Sequence, residues 1–306
     1  MGPTYLSLRA SGVLRQRVRK AQEILRCCRL CPRRCGVNRM EGEKGFCRSG
    51  CHIQVSSYNV HHGEEPVISG VHGSGTIFLT HCNLHCVFCQ NYPISQFGVG
   101  RERSIAEVGG MMLDLQARGC HNINWVTPTH FVPQMMEALE WAAERGFHLP
   151  LVYNTNGYDS VETLELLEGI VDIYLPDMKY GEEGIARTYS QAPDYPAING
   201  KAIREMHRQV EGKECTENGL LQRGMIIRHL ILPHRLAGTE RVARFIAEGL
   251  SRPCPVSLMT QFFPAYRAKD FPELNRRITS EEFEEAMEIL DSYHLEAGWV
   301  QEMEER

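Results

Sequence analysis

The sequence predicts an α/β protein, an open partial (β/α)6 barrel preceded by a small cysteine-rich metal-binding segment. From Thr76 onward, six short apolar segments alternate with amphipathic helical stretches, the pattern of a parallel sheet covered by helices. Six units are too few for a closed eight-stranded barrel, so the sheet is expected to curve and stay open. Ahead of them, four cysteines fall within twenty residues, a density that reads as bound metal. The expected division is 1–70 for the N-terminal helix and cysteine-rich segment and 71–306 for the barrel with its C-terminal helix.

Composition narrows the class. The chain has 306 residues, 42% hydrophobic and 23% charged, as in an ordinary globular protein. No apolar run approaches the roughly 18 residues of a membrane helix, so no membrane is expected. The net charge of -5 gives no reason to expect nucleic acid. Of the 12 cysteines, most lie between Cys27 and Cys89 in tight clusters. With no secretory signal in view, these read as metal ligands in a reducing cytoplasm, not as disulfides.

The chain opens with a basic stretch, Arg9 to Arg26, in which Leu14, Val18, Ala21, Ile24 and Leu25 recur at helical spacing. It is expected to be an amphipathic helix with a solvated basic face; a transit peptide is the alternative. Leu6 stands where a myristoylation site needs Ser or Thr. Cys28, Cys31, Cys35 and Cys47 follow at C-x2-C-x3-C-x11-C, with Cys27 and Cys51 in reserve. Such spacing serves zinc and four-cysteine iron-sulfur clusters alike, and the choice stays open. His61-His62-Gly63-Glu64-Glu65-Pro66 reads as a polar connecting loop, with a metal or acid–base role as the alternative.

The expected strands are 76–80, 122–126, 149–154, 171–175, 225–232 and 256–260. Ser104 with Glu107, and Thr279 with Glu282, are capping boxes that open two of the helices. A helix over 134–145 should stop before Gly146, and others should begin near Ser160, Ala202 and Thr239. Cys120, Cys215 and Cys254 are isolated and read as inert thiols, with Cys215 in an exposed loop. Tyr153, Tyr158, Tyr174 and Tyr180 read as half-buried packing.

In parallel sheets, function collects at the carboxyl ends of the strands. The first strand runs into Cys82, Cys86 and Cys89 at C-x3-C-x2-C. Three thiolates hold a [4Fe-4S] cube by three corners and leave one iron open; a zinc site completed by His81 or His85 is the alternative. The other ends carry Thr127-Pro128-Thr129-His130, Asn154-Thr155-Asn156-Gly157, Asp177-Met178-Lys179, Arg228-His229 and Gln261-Phe262. Together they describe a polar pocket suited to a zwitterionic, ribose-bearing ligand.

These residues carry a resemblance. The cysteine motif, with Phe88 before its last cysteine and Asn91 after it, Asn154-Thr155-Asn156-Gly157, Asp177-Met178-Lys179 and Ile227-Arg228 through Pro233 resemble the motifs of radical S-adenosylmethionine enzymes. Within these, the resemblance is to the pyruvate formate-lyase activating branch, here with an added four-cysteine segment. It implies a [4Fe-4S] cluster on Cys82, Cys86 and Cys89. It also implies S-adenosylmethionine, cleaved by one electron to a 5′-deoxyadenosyl radical that abstracts hydrogen from a substrate, an oxidoreductase chemistry. It implies cofactor contacts from Phe88, Asn91, Asn154, Thr155, Asn156, Asp177 and Arg228, with Asp177 and Lys179 nearest the chemistry. The implied partners are a one-electron reductant such as flavodoxin or ferredoxin and a glycyl-radical protein substrate.

Two positions depart from that family. Thr127-Pro128-Thr129 stands where G-G-E is usual, so Thr127, Thr129 or His130 must take its place; Asn154 replaces an Asp. The substrate is left between a partner protein's glycine loop and a small or other macromolecular substrate. A non-catalytic cluster scaffold or electron-transfer protein is the remaining alternative. Segments 236–239 and 264–275 are candidate lids, the latter with Tyr266, Arg267, Lys269, Phe271, Arg276 and Arg277 in or beside it.

Overall fold

A computed structural model describes residues 2–295 and 297–300. Its strands are β1 (Ile53–His61), β2 (Ser74–Leu79), β3 (Arg101–Arg103), β4 (Ile123–Val126), β5 (Leu151–Thr155), β6 (Ile173–Pro176), β7 (Cys215–Glu217), β8 (Leu220–Met225), β9 (Ile227–Leu230), β10 (Val256–Met259) and β11 (Ala297–Val300). One sheet has the order β3-β1-β2-β4-β5-β6-β8-β7 and a second the order β11-β10-β9. Neighbours from β2 through β8 are parallel, as are those of the second sheet. A parallel bridge between Asp177 and Arg228 joins the two sheets. The fold is thus α/β with a mostly parallel sheet.

Period-two alternation decides what each strand buries. Ile77, Leu79, Ile123, Trp125, Leu151 and Tyr153 belong to the main helix-covered core. Val152, Ile173 and Leu175, on the other face, meet Ile68 and Ile226. Ile68 comes from the short helix Pro66–Ser69, so this helix covers that face of the sheet.

Both capping boxes form, at Ser104 with Glu107 and at Thr279 with Glu282. The second helix begins earlier than its apolar pattern suggests, at Val132, because Pro133 at its start needs no partner for a backbone N–H. The helix expected near Ala202 runs over Tyr195–Val210 for the same reason, with Pro196 in its first turn. The expected strand 225–232 is two strands: β8 pairs with β6, and after Ile226 β9 turns to pair with β10. The polar stretch around Cys215 is an edge hairpin with Asn218 and Gly219, both at positive φ, at its turn. Cys120 and Cys254 are buried; Cys215 is exposed.

The first seventy residues share the core of the rest. Tyr5, Leu14, Val18 and Ala21 lie in the main core, and β1, before residue 70, is the antiparallel neighbour of β2, after it. Among the described residues no helix is long and apolar enough to cross a membrane.

Candidate active site at the cysteine loop

The loop after β2 carries the three thiols. His81, at positive φ, turns the chain, and its N–H donates to the Ile94 carbonyl. Asn83 is fully buried and ties the loop to the end of β5: its amide donates to the Tyr158 carbonyl at 2.7 Å. Val87 N–H donates to the Tyr189 carbonyl, and Arg267 N–H to the Val87 carbonyl. Phe88 is buried and meets Phe262 and Tyr180 edge-on, at 5.8 and 6.3 Å.

Each sulfur has its own donor. Asn156 Nδ2 lies 3.2 Å from Cys82 Sγ, and Leu84 N–H lies 3.4 Å from it. Ser190 Oγ is 2.9 Å from Cys86 Sγ, and Ser95 Oγ is 3.1 Å from Cys89 Sγ. Burial pushes the Cys82 thiol up to about 12 and Cys86 to about 11, so free thiols here stay protonated at neutral pH. A bound metal centre removes those protons and holds the thiolates. Three thiols from one loop, each with a hydrogen-bond donor, fit an iron-sulfur cluster.

Beside them lies a buried charge network. Lys179 Nζ is 2.6 Å from Asp177 Oδ2, and Arg228 reaches Asp177 at 3.2 Å and Glu64 at 3.0 Å. Burial alone would raise Asp177, but the Lys179 and Arg228 cations more than offset it and hold the carboxyl below its ordinary range. Burial pushes Glu64 up against the pull of Arg228. Arg228 also donates to Asn154 Oδ1 at 3.1 Å, and Glu64 accepts from Asn124 at 2.9 Å and from Asn154 at 3.4 Å.

Glu64 was missed by reading its segment as a plain loop. Its side chain is 7% exposed, and it delivers a carboxylate to the Asn154 amide. The two adjacent acids were in view; their burial depends on the helix Pro66–Ser69 packing on the sheet's second face, which no local pattern announces.

The structure brings Phe88, Asn154, Asn156, Asp177, Lys179 and Arg228 to the thiol loop and its adjoining network. It engages other expected contacts elsewhere. Thr129 and Thr155 hydroxyls both donate to buried Asp159, at 2.7 and 2.6 Å, and Tyr153 donates there too, at 2.9 Å. His130 is buried, and burial pushes it down to about 3; the neutral ring donates from Nε2 to the Thr80 carbonyl at 2.8 Å. Thr127, at positive φ, offers the hydroxyl left from that trio, while its N–H holds the Asn154 carbonyl. Asn91 is exposed and starts the short helix Tyr92–Ser95.

The N-terminal thiols Cys28, Cys31, Cys35 and Cys47 line one cavity together with Arg33 and Arg39. Cys28, Cys31 and Cys47 are buried and Cys35 is exposed.

The comparisons agree with this geometry. The model of the radical SAM superfamily matches residues 76–211, from β2 to just past the helix Tyr195–Val210. The chain is 34% identical over 301 residues to the uncharacterized protein MJ0674 of Methanocaldococcus jannaschii, covering 93% of this chain and 80% of that one. It is 25% identical over 266 residues to the uncharacterized protein MJ0808 of the same organism, covering 80% and 73%. The chain carries a domain of the radical SAM superfamily. Enzymes of this class generally bind a [4Fe-4S] cluster and S-adenosylmethionine and use them for radical chemistry.

Proposed function

We propose that this protein is a radical SAM enzyme of the activating-enzyme type, with Cys82, Cys86 and Cys89 holding the catalytic [4Fe-4S] cluster. The observation that carries the reading is the meeting of these three thiols with Asn156 and the Lys179–Asp177 pair at the carboxyl ends of β2, β5 and β6. The bridge between Asp177 and Arg228 supports reading the two sheets as one open (β/α)6 barrel. When bound, cluster and S-adenosylmethionine supply the one-electron cleavage that generates a hydrogen-abstracting radical.

The chain's own residues bind and orient. Lys179 and Asp177 present an ammonium and a carboxylate suited to the zwitterionic end of the cofactor, and Asn154, backed by Glu64 and Arg228, presents its amide beside them. Phe88 and Phe262 supply an apolar wall for the adenine. The N-terminal thiols form a second metal site, zinc or iron-sulfur. The electron donor is a flavodoxin or ferredoxin, and the setting is the cytoplasm.

The motif resemblance favours a glycyl-radical protein as the substrate. One observation favours a small anionic molecule instead. Segment 264–275 is folded onto the cysteine loop, with Ala268 and Leu274 buried there, and Arg48 and Arg267 line a cavity of about 230 Å³ beside it.

The test is anaerobic reconstitution, reduction and addition of S-adenosylmethionine. 5′-Deoxyadenosine should form, and should vanish when Cys82, Cys86 and Cys89 are together changed to Ala. A loaded, reducible cluster that yields no nucleoside would overturn the reading.

A further inference from the structure

We propose that Cys28, Cys31, Cys35 and Cys47 hold a second, redox-active iron-sulfur cluster where electrons enter the protein, bridged to the Cys82 loop by Asn83 and the Phe46–His85 ring pair. This deepens the reading above and rests on its assignment of the catalytic cluster to Cys82, Cys86 and Cys89.

Charge is the first argument. Arg39 is 1% exposed, and its guanidinium donates only to neutral groups: the Gly50 carbonyl at 3.0 and 2.6 Å and the His130 carbonyl at 2.7 Å. Its Nη1 lies 4.0 Å from Cys28 Sγ. Arg33 lines the same cavity, and its buried Nη2 has no partner. Neither arginine makes an ion pair among the described residues. A buried guanidinium without an anion is costly, and Arg39 beside the Cys28 thiol, with half-buried Arg33 lining the same cavity, calls for the negative charge of a thiolate-held metal centre.

Arrangement is the second. The four thiols line one cavity with basic and apolar side chains and no carboxylate, an all-sulfur donor set of the kind that holds an iron-sulfur cluster.

Contact between the two thiol sets is the third. The Asn83 side chain meets the Cys31 thiol on one side and Cys82 on the other, the latter at 3.9 Å. Arg33 Nε donates to the Asn83 carbonyl at 3.1 Å. Phe46 N–H lies 3.4 Å from Cys35 Sγ, and its ring stacks on His85 with centroids 4.1 Å apart. His85 precedes Cys86, and Arg33 lies 3.7 Å above the Phe46 ring. Two short routes therefore link the sites.

Access is the fourth. Cys35 is exposed, amid exposed Arg29, Arg34, Lys44 and Arg48; Arg34 is paired with Glu162, and Glu41 and Glu43 are further acids of the same segment. This basic surface suits an acidic one-electron donor protein. One electron leaves the donor, reduces the N-terminal centre by one, and passes on to the Cys82 site; no bond or proton is exchanged.

The test uses the full chain reconstituted anaerobically, without S-adenosylmethionine. About eight irons and no zinc are expected per chain. The reduced protein should give an EPR spectrum broadened by interaction between two centres. The spectrum should collapse to that of one isolated cluster in Cys28→Ala/Cys31→Ala, in the milder Cys35→Ser, and in the Cys82, Cys86, Cys89 triple Ala variant. Stoichiometric zinc with about four irons, or two clusters without interaction, would overturn the proposal. Phe46→Leu keeps every thiol. It should slow reduction by an acidic flavodoxin by roughly tenfold or more and leave reduction by dithionite unchanged; equal slowing with both removes the bridge. Two coupled clusters that yield no 5′-deoxyadenosine would instead count against the catalytic reading alone.

Discussion

The Asn156 amide nitrogen lies 3.2 Å from the Cys82 sulfur and 2.8 Å from Asn83 Oδ1. One side chain thus fixes both the first cysteine of the loop and the residue that locks the loop to β5. Asn156→Ala keeps all three thiols but frees both. Iron retention against a chelator should fall roughly 10- to 100-fold, as for other outer partners of metal ligands. Unchanged retention would show that the contact does not hold the cluster.

Lys179 pairs with Asp177 at 2.6 Å, and its charge also acts on the Cys86 thiol. Lys179→Met should preserve the helix signal in circular dichroism and the iron content. The rate of 5′-deoxyadenosine formation should drop by roughly 10²-fold, the loss typical of one well-placed charged donor. A drop in iron content of the same size would make Lys179 a structural residue.

Glu64 is the carboxylate through which the segment before β2 pairs with Arg228. Glu64→Ala leaves that guanidinium with Asp177 as its ion-pair partner and leaves the Asn124 amide without its acceptor. Urea unfolding should show a loss of roughly 3 kcal/mol, as when one partner of a buried pair is removed. Glu64→Gln keeps an acceptor for both amides and should recover part of it. Equal losses would mean that charge alone matters.

Asp159 accepts from three buried hydroxyls, those of Thr129, Thr155 and Tyr153. Asp159→Ala strands all three, each at about 1–3 kcal/mol. The thermal midpoint should fall well below that of Asp159→Asn, which keeps one acceptor oxygen. Similar midpoints would place the hydroxyls' partners elsewhere.

Glu282 caps the last long helix, accepts from His234 N–H, and meets the Arg276 fork. Its hydrogen bonds to Arg276 pull its pKa from 4.5 down to about 2. A depressed carboxyl stabilises the fold above its unfolded pKa, and that contribution disappears as pH falls through the folded one. Stability should therefore decline between about pH 4.5 and about pH 2, and Glu282→Gln should flatten that part of the curve. A variant that declines in parallel with the parent would contradict the assignment.

What the sequence made legible was local. Ser104 with Glu107 and Thr279 with Glu282 announce their helices because each cap is closed by residues three apart. The β-branched and aromatic run before Cys82 announces β2. β1 was not seen, since its middle is exposed and polar and it is held by pairing with β2. Thr129 and Thr155 were expected at the cofactor because their strand ends are; which way each hydroxyl turns is decided by Asp159. The hairpin at Asn218-Gly219 carried a strong turn signal that its polar surroundings masked.

The hydroxyl of Tyr5 donates to the carbonyl of Leu149, 144 residues along the chain, and Arg39 reaches the carbonyl of His130. A growing chain on the ribosome cannot make either contact until its middle has emerged. Residues 5 and 39 are therefore seated only after the stretch from 130 to 149 has been made. The thiols between them and β1 stay open to solvent until then.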